Sequence, residues 1–223
     1  MKYIVVIILI SISFIVNGQN NLSENTNELS GIPIKDKPNY KQANPYIFDD
    51  FLEGVVYFKD NNNPLEYKLN YDAFDDQLEY LKNDEKFIAT NPDNILRVNI
   101  NDEILVYKKF YNFDETKNGF FFEIIDDYIS LYKREIIIST LKEKNIYKDD
   151  EVKNSELIKK KPQYYISIYG ESLRLIKNKK KLLLAFYNHP AIEEFIKKEK
   201  IKLHKEKDLI ELITFINNFD KNK

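Results

Sequence analysis

The sequence predicts an α+β protein that is mainly β: an antiparallel meander sheet followed by a small C-terminal helical segment. Three observations carry this. Apolar and polar residues alternate with period two from about residue 46, the mark of half-buried strands. The connections between these runs are tight and rich in Asn, Asp and Pro, too short for the crossovers that parallel neighbours need. Beyond residue 178 the apolar spacing lengthens to three and four, the helical period. Alternation alone leaves open whether the sheet lies flat, curves or becomes barrel-like.

The elements follow in order. Residues 1–18 read as a signal peptide: Lys2, then a mostly apolar run from Ile4 to Val16, then small Gly18. The run falls short of the roughly 20 residues a spanning helix needs, which disfavours a retained anchor. Cleavage is expected between Gly18 and Gln19, giving an exported chain, periplasmic or secreted, with no transmembrane span in its mature part. Residues 19–45 lack periodicity, carry prolines, and read as a flexible leader.

The antiparallel domain spans 46–178. "GVVYFKD" runs into the turn "NNNP", and "LEYKLNY" then puts Leu65, Tyr67, Leu69 and Tyr71 on one face, with Glu66, Lys68 and Asn70 on the other. "DQLEYL", "KFIAT", "ILRVNIN", "EILVYKKFY", "FFFEII" and "ISLYKREIII" complete about eight short strands. Residues 142–162 are charged and weakly hydrophobic, a mobile loop. Strand character returns in "YYISIYGESLRLI".

From 179 to 223, helices pack on or beside the sheet. "NKKKLLLAFYN" is a short helix ending before His189-Pro190. Pro190 opens a second, with Glu193 and Glu194 in its first turn and the apolar stripe Ile192, Phe195, Ile196. A third carries Leu209, Leu212, Ile213 and Ile216, with Asp208 as its cap.

Composition narrows the function. Charge is nearly balanced at −2, from 34 basic and 36 acidic residues, which argues against a nucleic-acid partner. There is no cysteine, so disulfides, thiolate nucleophiles and cysteine-ligated metals are excluded. Aromatic residues make up 14% of the chain, which suits strands. A mature chain of about 200 residues buries about 70% of its surface and needs no such staples.

The strings "GVVYFKDNN", "LNYDAFDDQLEYL" and "PDNILRVNINDEILVYKKFY", with the tail "FIKKEKIKLHKEKDLIELITFIN", resemble uncharacterised exported proteins common in Bacteroidetes bacteria. The resemblance spans roughly residues 51–219. It implies an envelope location and a β domain with a helical tail, and implies no activity and no site residues.

"NYDAFDDQLEYL" concentrates Asp72, Asp75, Asp76 and Glu79, but lacks the glycine and ligand spacing of a calcium loop. It reads as a hairpin, with Asp75 and Asp76 at the turn, and Asp72 and Glu79 on the solvent face. His189 and His204 read as surface residues, so no metal site is expected. Gly170-Glu171-Ser172 fails the nucleophile-elbow pattern because Arg174 stands where a second glycine is required. The recognisable nucleotide loops are absent and no cofactor is expected. A hydrolase built on Glu123 or Asp126 would need two acids converging in one cleft.

Lys179, Lys180, Lys181, Lys197 and Lys198 offer peripheral surface contact, although interleaved Glu193, Glu194 and Glu199 favour a plain solvated face. Tyr57, Tyr67, Tyr71, Tyr80 and Tyr107 are the ligand-binding candidates, as a glycan-stacking platform or a protein-binding face; the plainer role is core filling. With no convergent catalytic set, the expected function is that of a non-enzymatic cell-envelope or secreted protein acting by protein–protein or surface interaction. The alternative is a binding module for a glycan or small apolar ligand in a curved β-sheet.

Overall fold

The computed structural model describes residues 28–34, 44–112, 115–140 and 156–220. The expected signal segment, residues 19–27 and 35–43 of the expected leader, and residues 142–155 of the expected loop lie outside the described residues. The strands are β1 (Gly31–Pro33), β2 (Leu52–Phe58), β3 (Asn61–Asp72), β4 (Gln77–Lys82), β5 (Glu85–Ala89), β6 (Ile95–Ile100), β7 (Glu103–Asn112) and β8 (Glu115–Ile125). They continue with β9 (Ile129–Arg134), β10 (Ile137–Ser139), β11 (Leu157–Lys159), β12 (Gln163–Ile168) and β13 (Arg174–Leu175), followed by helices α1 (Lys179–Ala185), α2 (Pro190–Lys198) and α3 (Glu206–Asp220).

Eleven of the described strands form one antiparallel sheet, ordered β1-β5-β4-β3-β2-β6-β7-β8-β9-β12-β13, and β10 and β11 form a separate ribbon. The protein is therefore mainly β with a C-terminal helical segment, as the alternation implies. From β2 to β9 the order is a meander with one return, where β6 comes back to pair with β2, and β1 adds outside β5. That return forces curvature. From Ala89 to Ile95 the chain has six Cα steps, a reach of at most about 20 Å. Four strand spacings in a flat sheet cover about 19 Å. Because Pro92–Asn94 coils into a 3₁₀ turn, the connection falls well short of full extension and the sheet must curl.

The first curl encloses Val56, Leu69, Tyr71, Leu78, Tyr80, Ile95, Val98, Ile100, Phe120 and Phe122. Tyr71 of β3 meets Phe120 and Phe122 of β8 at 5.7 and 5.9 Å between ring centroids, although three strands separate them in the sheet. Phe121 points to the opposite face, as period two requires. There it joins Val106, Phe110, Tyr132, Tyr165 and Leu173 in a second core. The second curl is drawn in where Leu173 N donates to Lys109 O (2.9 Å) and Tyr111 N donates to Leu173 O (3.0 Å). The two curls open on opposite faces and share β7 and β8, and the sheet is not closed into a barrel.

A third core lies under the helices, where Leu209, Leu212, Ile213 and Ile216 of α3 cover Ile129 and Leu131 of β9. Asn217 fixes this docking. Its Oδ1 accepts from Ile129 N (2.8 Å) and its Nδ2 donates to Ile129 O (2.9 Å), so the amide serves β9 as a strand neighbour would.

The structure corrects four sequence expectations. Residues 28–34 are not loose leader: β1 pairs with β5, and Leu29 is buried with its carbonyl accepting from Tyr80 OH (2.9 Å). Part of the expected loop, 157–159, is β11. Asp208 does not cap its own helix but accepts from Lys202 N (2.9 Å). Asp72 and Glu79 are fully buried rather than solvent-facing, because residues 44–51 fold across β3 and β4. Ala73 N donates to Pro45 O (3.0 Å), Ile47 N to Tyr71 O (3.0 Å), and Asn70 Nδ2 to the carbonyls of Phe48 and Asp50. Beneath this cover Tyr46 OH donates to Glu79 Oε2 (2.7 Å).

The hairpin turn itself is correct but its acids divide the work. Asp72 Oδ1 accepts from the amides of Phe74 (2.8 Å) and Asp75 (2.9 Å), which shapes the corner. Asp76, in the left-handed region at φ 57°, reaches outward. Its Oδ1 accepts from Tyr71 OH (2.8 Å) and Phe120 N (3.1 Å), and its Oδ2 accepts from Arg134 Nη2 (2.7 Å). The Arg134 guanidinium lies 4.7 Å from the Phe110 ring centroid and 5.5 Å from that of Phe121. Gly119 permits the crossing, since a Cβ there would stand 2.6 Å from Asp76 Oδ2.

Asp76→Ala strands Arg134 with only 19% of its side chain exposed, and should lower the unfolding free energy by about 3 kcal/mol in urea titration. Glu171→Ala removes the Arg174–Glu171 pair, also 2.7 Å long but at least half exposed, and should change stability by no more than about 0.5 kcal/mol. The tyrosines set the alkaline limit. Burial, then the Asp76 charge, pushes the Tyr71 phenol well above its ordinary range; burial and the bond to Glu79 do the same for Tyr46. Burial lifts Tyr132 and Tyr164 to about 12. The folded state thus keeps protons that an unfolded chain releases near pH 10, so stability is complete below about pH 10 and falls as pH rises beyond it. Urea midpoints across that range, with tyrosinate absorbance followed in parallel, should show ionisation and unfolding together.

Candidate functional site

The five candidate tyrosines divide by position. Tyr71 and Tyr80 are core residues, 1% and 2% exposed, with both hydroxyls donating inside the protein. Tyr67 is half-buried, packs edge-on against Tyr80 at 5.4 Å, and accepts from Leu29 N. Tyr107 lies 4.9 Å from Phe120, and the Arg97 guanidinium sits 4.5 Å over Tyr57. Tyr107 lines an open cleft of about 470 Å³ shared with Lys59, Lys108, Lys109 and Ser172. The strand tyrosines do not assemble into one stacking platform.

Exposed apolar groups gather elsewhere. Among the described residues nine large hydrophobic side chains are exposed, and four of them converge on α1 and the β12–β13 turn. Tyr111 and Leu184 line a groove of about 580 Å³ between α1 and β12–β13. Tyr169 and Tyr187 line a cleft of about 410 Å³ on the other side of α1, against α2 and α3. Arg174 and Ala185 belong to both, so the two hollows flank a single ridge.

The two cleft tyrosines are held at conformational cost. Tyr169 (φ 53°) and Gly170 (φ 74°) are consecutive left-handed residues between β12 and β13, the pattern of a tight hairpin turn that favours Asn-Gly. Tyr187 (φ 52°) follows α1 where helices usually place glycine, and Asn188 N closes the helix end on Leu183 O (2.7 Å). Both positions would be cheaper with Gly or Asn, yet both carry tyrosines, 75% and 95% exposed. Tyr169 is braced by Tyr128, with 3.9 Å between ring centroids at 75° and a bond from Tyr169 N to Tyr128 O. His189 joins the same cleft: its Nδ1 accepts from Ala191 N at the start of α2, and its ring meets Phe219 at 4.9 Å.

The remaining candidates stay dispersed. Burial, and next the Asp126 charge, raises the Glu123 carboxyl above its ordinary range, with Lys108 and a bond from Tyr132 opposing. Neither acid lines any of the three clefts. Ser172 and His189 line different clefts. Among the described residues no three His, Asp or Glu side chains gather as metal ligands. Lys179 and Lys197 both pair with Glu193, at 3.5 and 3.1 Å, and Lys198 pairs with Glu199 at 3.5 Å, so charge is locally offset there. Lys181 is exposed, lines the larger groove, and has no ion-pair partner among the described residues. No described helix is long and apolar enough to cross a membrane.

Compared with family models, curated proteins and solved structures, the chain matches none.

The turn tyrosines were missed because period two draws attention to strands. Their signals were nonetheless present: Tyr before Gly170 in "IYGES", and Tyr before Asn188-His189-Pro190. If Tyr187 is retained for contact and not for folding, Tyr187→Gly should raise stability by about 1 kcal/mol in urea or thermal unfolding.

Proposed function

We propose that this is a non-enzymatic exported protein of the cell envelope, or a secreted one, acting by protein–protein contact through the ridge formed by α1 and the β12–β13 turn. One observation carries the reading: four of the nine exposed large hydrophobic side chains meet there, two of them in strained backbone. Exposed apolar groups of this kind mark interaction sites more often than chance surface. Exposed tyrosines suit such contacts because they offer a large rigid surface with a polar tip. Export is supported by the signal-like order of residues 1–18.

The alternative, a glycan or small apolar ligand held in a curved sheet, has less support. The sheet does curve, but its concave faces are filled by side chains such as Tyr71, Phe121, Phe122 and Leu173, none more than 2% exposed. Any small ligand would use the outer hollows instead.

The test is site-specific photo-crosslinking in envelope fractions. A photoreactive residue at Tyr187 should give a discrete adduct with one partner protein. The same residue at Leu96, also exposed and apolar but on β6, should give none. Equal labelling from both positions, or none from Tyr187, would reject the proposal.

A further inference from the structure

We infer that the groove between α1 and β12–β13 binds a single-chain amphiphile with an anionic head, of which a fatty acid is the simplest. The groove shares Tyr111 and Leu184 with the proposed contact ridge, but ligand binding to the purified chain is read separately from partner crosslinking at Tyr187.

The groove combines three properties. Its floor is apolar and built: Ile166 and Leu182 are each 3% exposed, and Leu175, Ile176 and Ala185 continue the aliphatic lining. Its apolar surface extends to the rim, where Leu184 is 53% and Tyr111 49% exposed, so a bound chain would remove from water groups that the fold leaves in it. Among the described residues its charged lining has one sign: Arg174, Lys177 and Lys181 line it, and no Asp or Glu does.

The chemistry of these cations favours an anion. Lys181 has no ion-pair partner among the described residues. Arg174 pairs with Glu171 at 2.7 Å, but both side chains are at least half exposed, so water competes well for that contact and the guanidinium is available to a second anion.

Size and shape select the chain. A hollow of about 580 Å³ falls in the small-molecule range. Six aliphatic side chains, Ile166, Leu175, Ile176, Leu182, Leu184 and Ala185, run through it as a track for an acyl chain. An acyl chain along Ile166, Leu175 and Leu182 would leave its carboxylate at Lys181 and Arg174.

The experiment compares dodecanoate, dodecanol and dodecyltrimethylammonium, each below its micellar concentration, on the full chain. Calorimetry gives affinity and stoichiometry, and amide-shift mapping gives location. Dodecanoate should bind one per chain, roughly tenfold tighter than dodecanol, with the cation weakest. Shifts should centre on Tyr111, Leu175, Lys181 and Leu184. Lys181→Glu should weaken dodecanoate roughly tenfold and leave dodecanol unchanged, while Leu184→Asp should weaken both. Both residues are exposed, and near-ultraviolet circular dichroism will confirm that each variant is folded. Equal affinity for the three heads, no effect of Lys181→Glu in a folded variant, shifts centred elsewhere, or no binding of dodecanoate would each overturn the inference.

Discussion

The fold depends on one crossing, where Asp76 passes over the bare backbone of Gly119 to reach Arg134. The carboxylate stands at the corner of the β3–β4 hairpin, bonded to Tyr71 and Phe120 of the first curl, while Arg134 stacks on Phe110 and Phe121 of the second core. This interaction therefore ties the two curls together across β8, one of the two strands they share. Its strength comes from completeness more than from charge. Two unlike charges removed from water lose several kcal/mol each in solvation, and their attraction offsets this only when the remaining hydrogen-bonding positions are filled. Here the carboxylate has Tyr71 OH and Phe120 N as further donors, and the guanidinium has two ring faces.

What the sequence revealed, and what it hid, follows from the range of each interaction. The strands β2 to β9 were legible because alternation is local, and the helices because the stripe Leu209, Leu212, Ile213, Ile216 is local too. The burial of Asp72 and Glu79 was not legible, since their cover comes from residues 44–51, which have no period to read. The Asp76–Arg134 pair spans 58 positions, and the Asn217–Ile129 clip spans 88. No local pattern reports such partners. Gly119 was visible, one of only five glycines, but its purpose is defined by an acid far away in sequence.

The surface ridge was hidden for a different reason. Its parts lie on a strand end, a turn and a helix end, and none is conspicuous alone. Tyr169 and Tyr187 become informative only when their positive φ and their exposure are considered together, because left-handed tyrosine is a cost that the core does not require. The basic groove beside them shares Arg174 and Ala185 with the tyrosine cleft. Occupancy of either hollow would thus be felt by residues that line the other.

The ends of the large sheet also bear on how the protein survives at high concentration. An open sheet exposes backbone N–H and C=O groups along its outer strands, a template for self-association into aggregates. Here one edge is only the three residues of β1, ending in Pro33, which has no N–H to offer. The other is the two residues of β13, with Leu173 beside them already bonded to β7. A wide cysteine-free sheet thus ends in two very short strands, and the same Leu173 contact that draws in the second curl also guards against polymerisation.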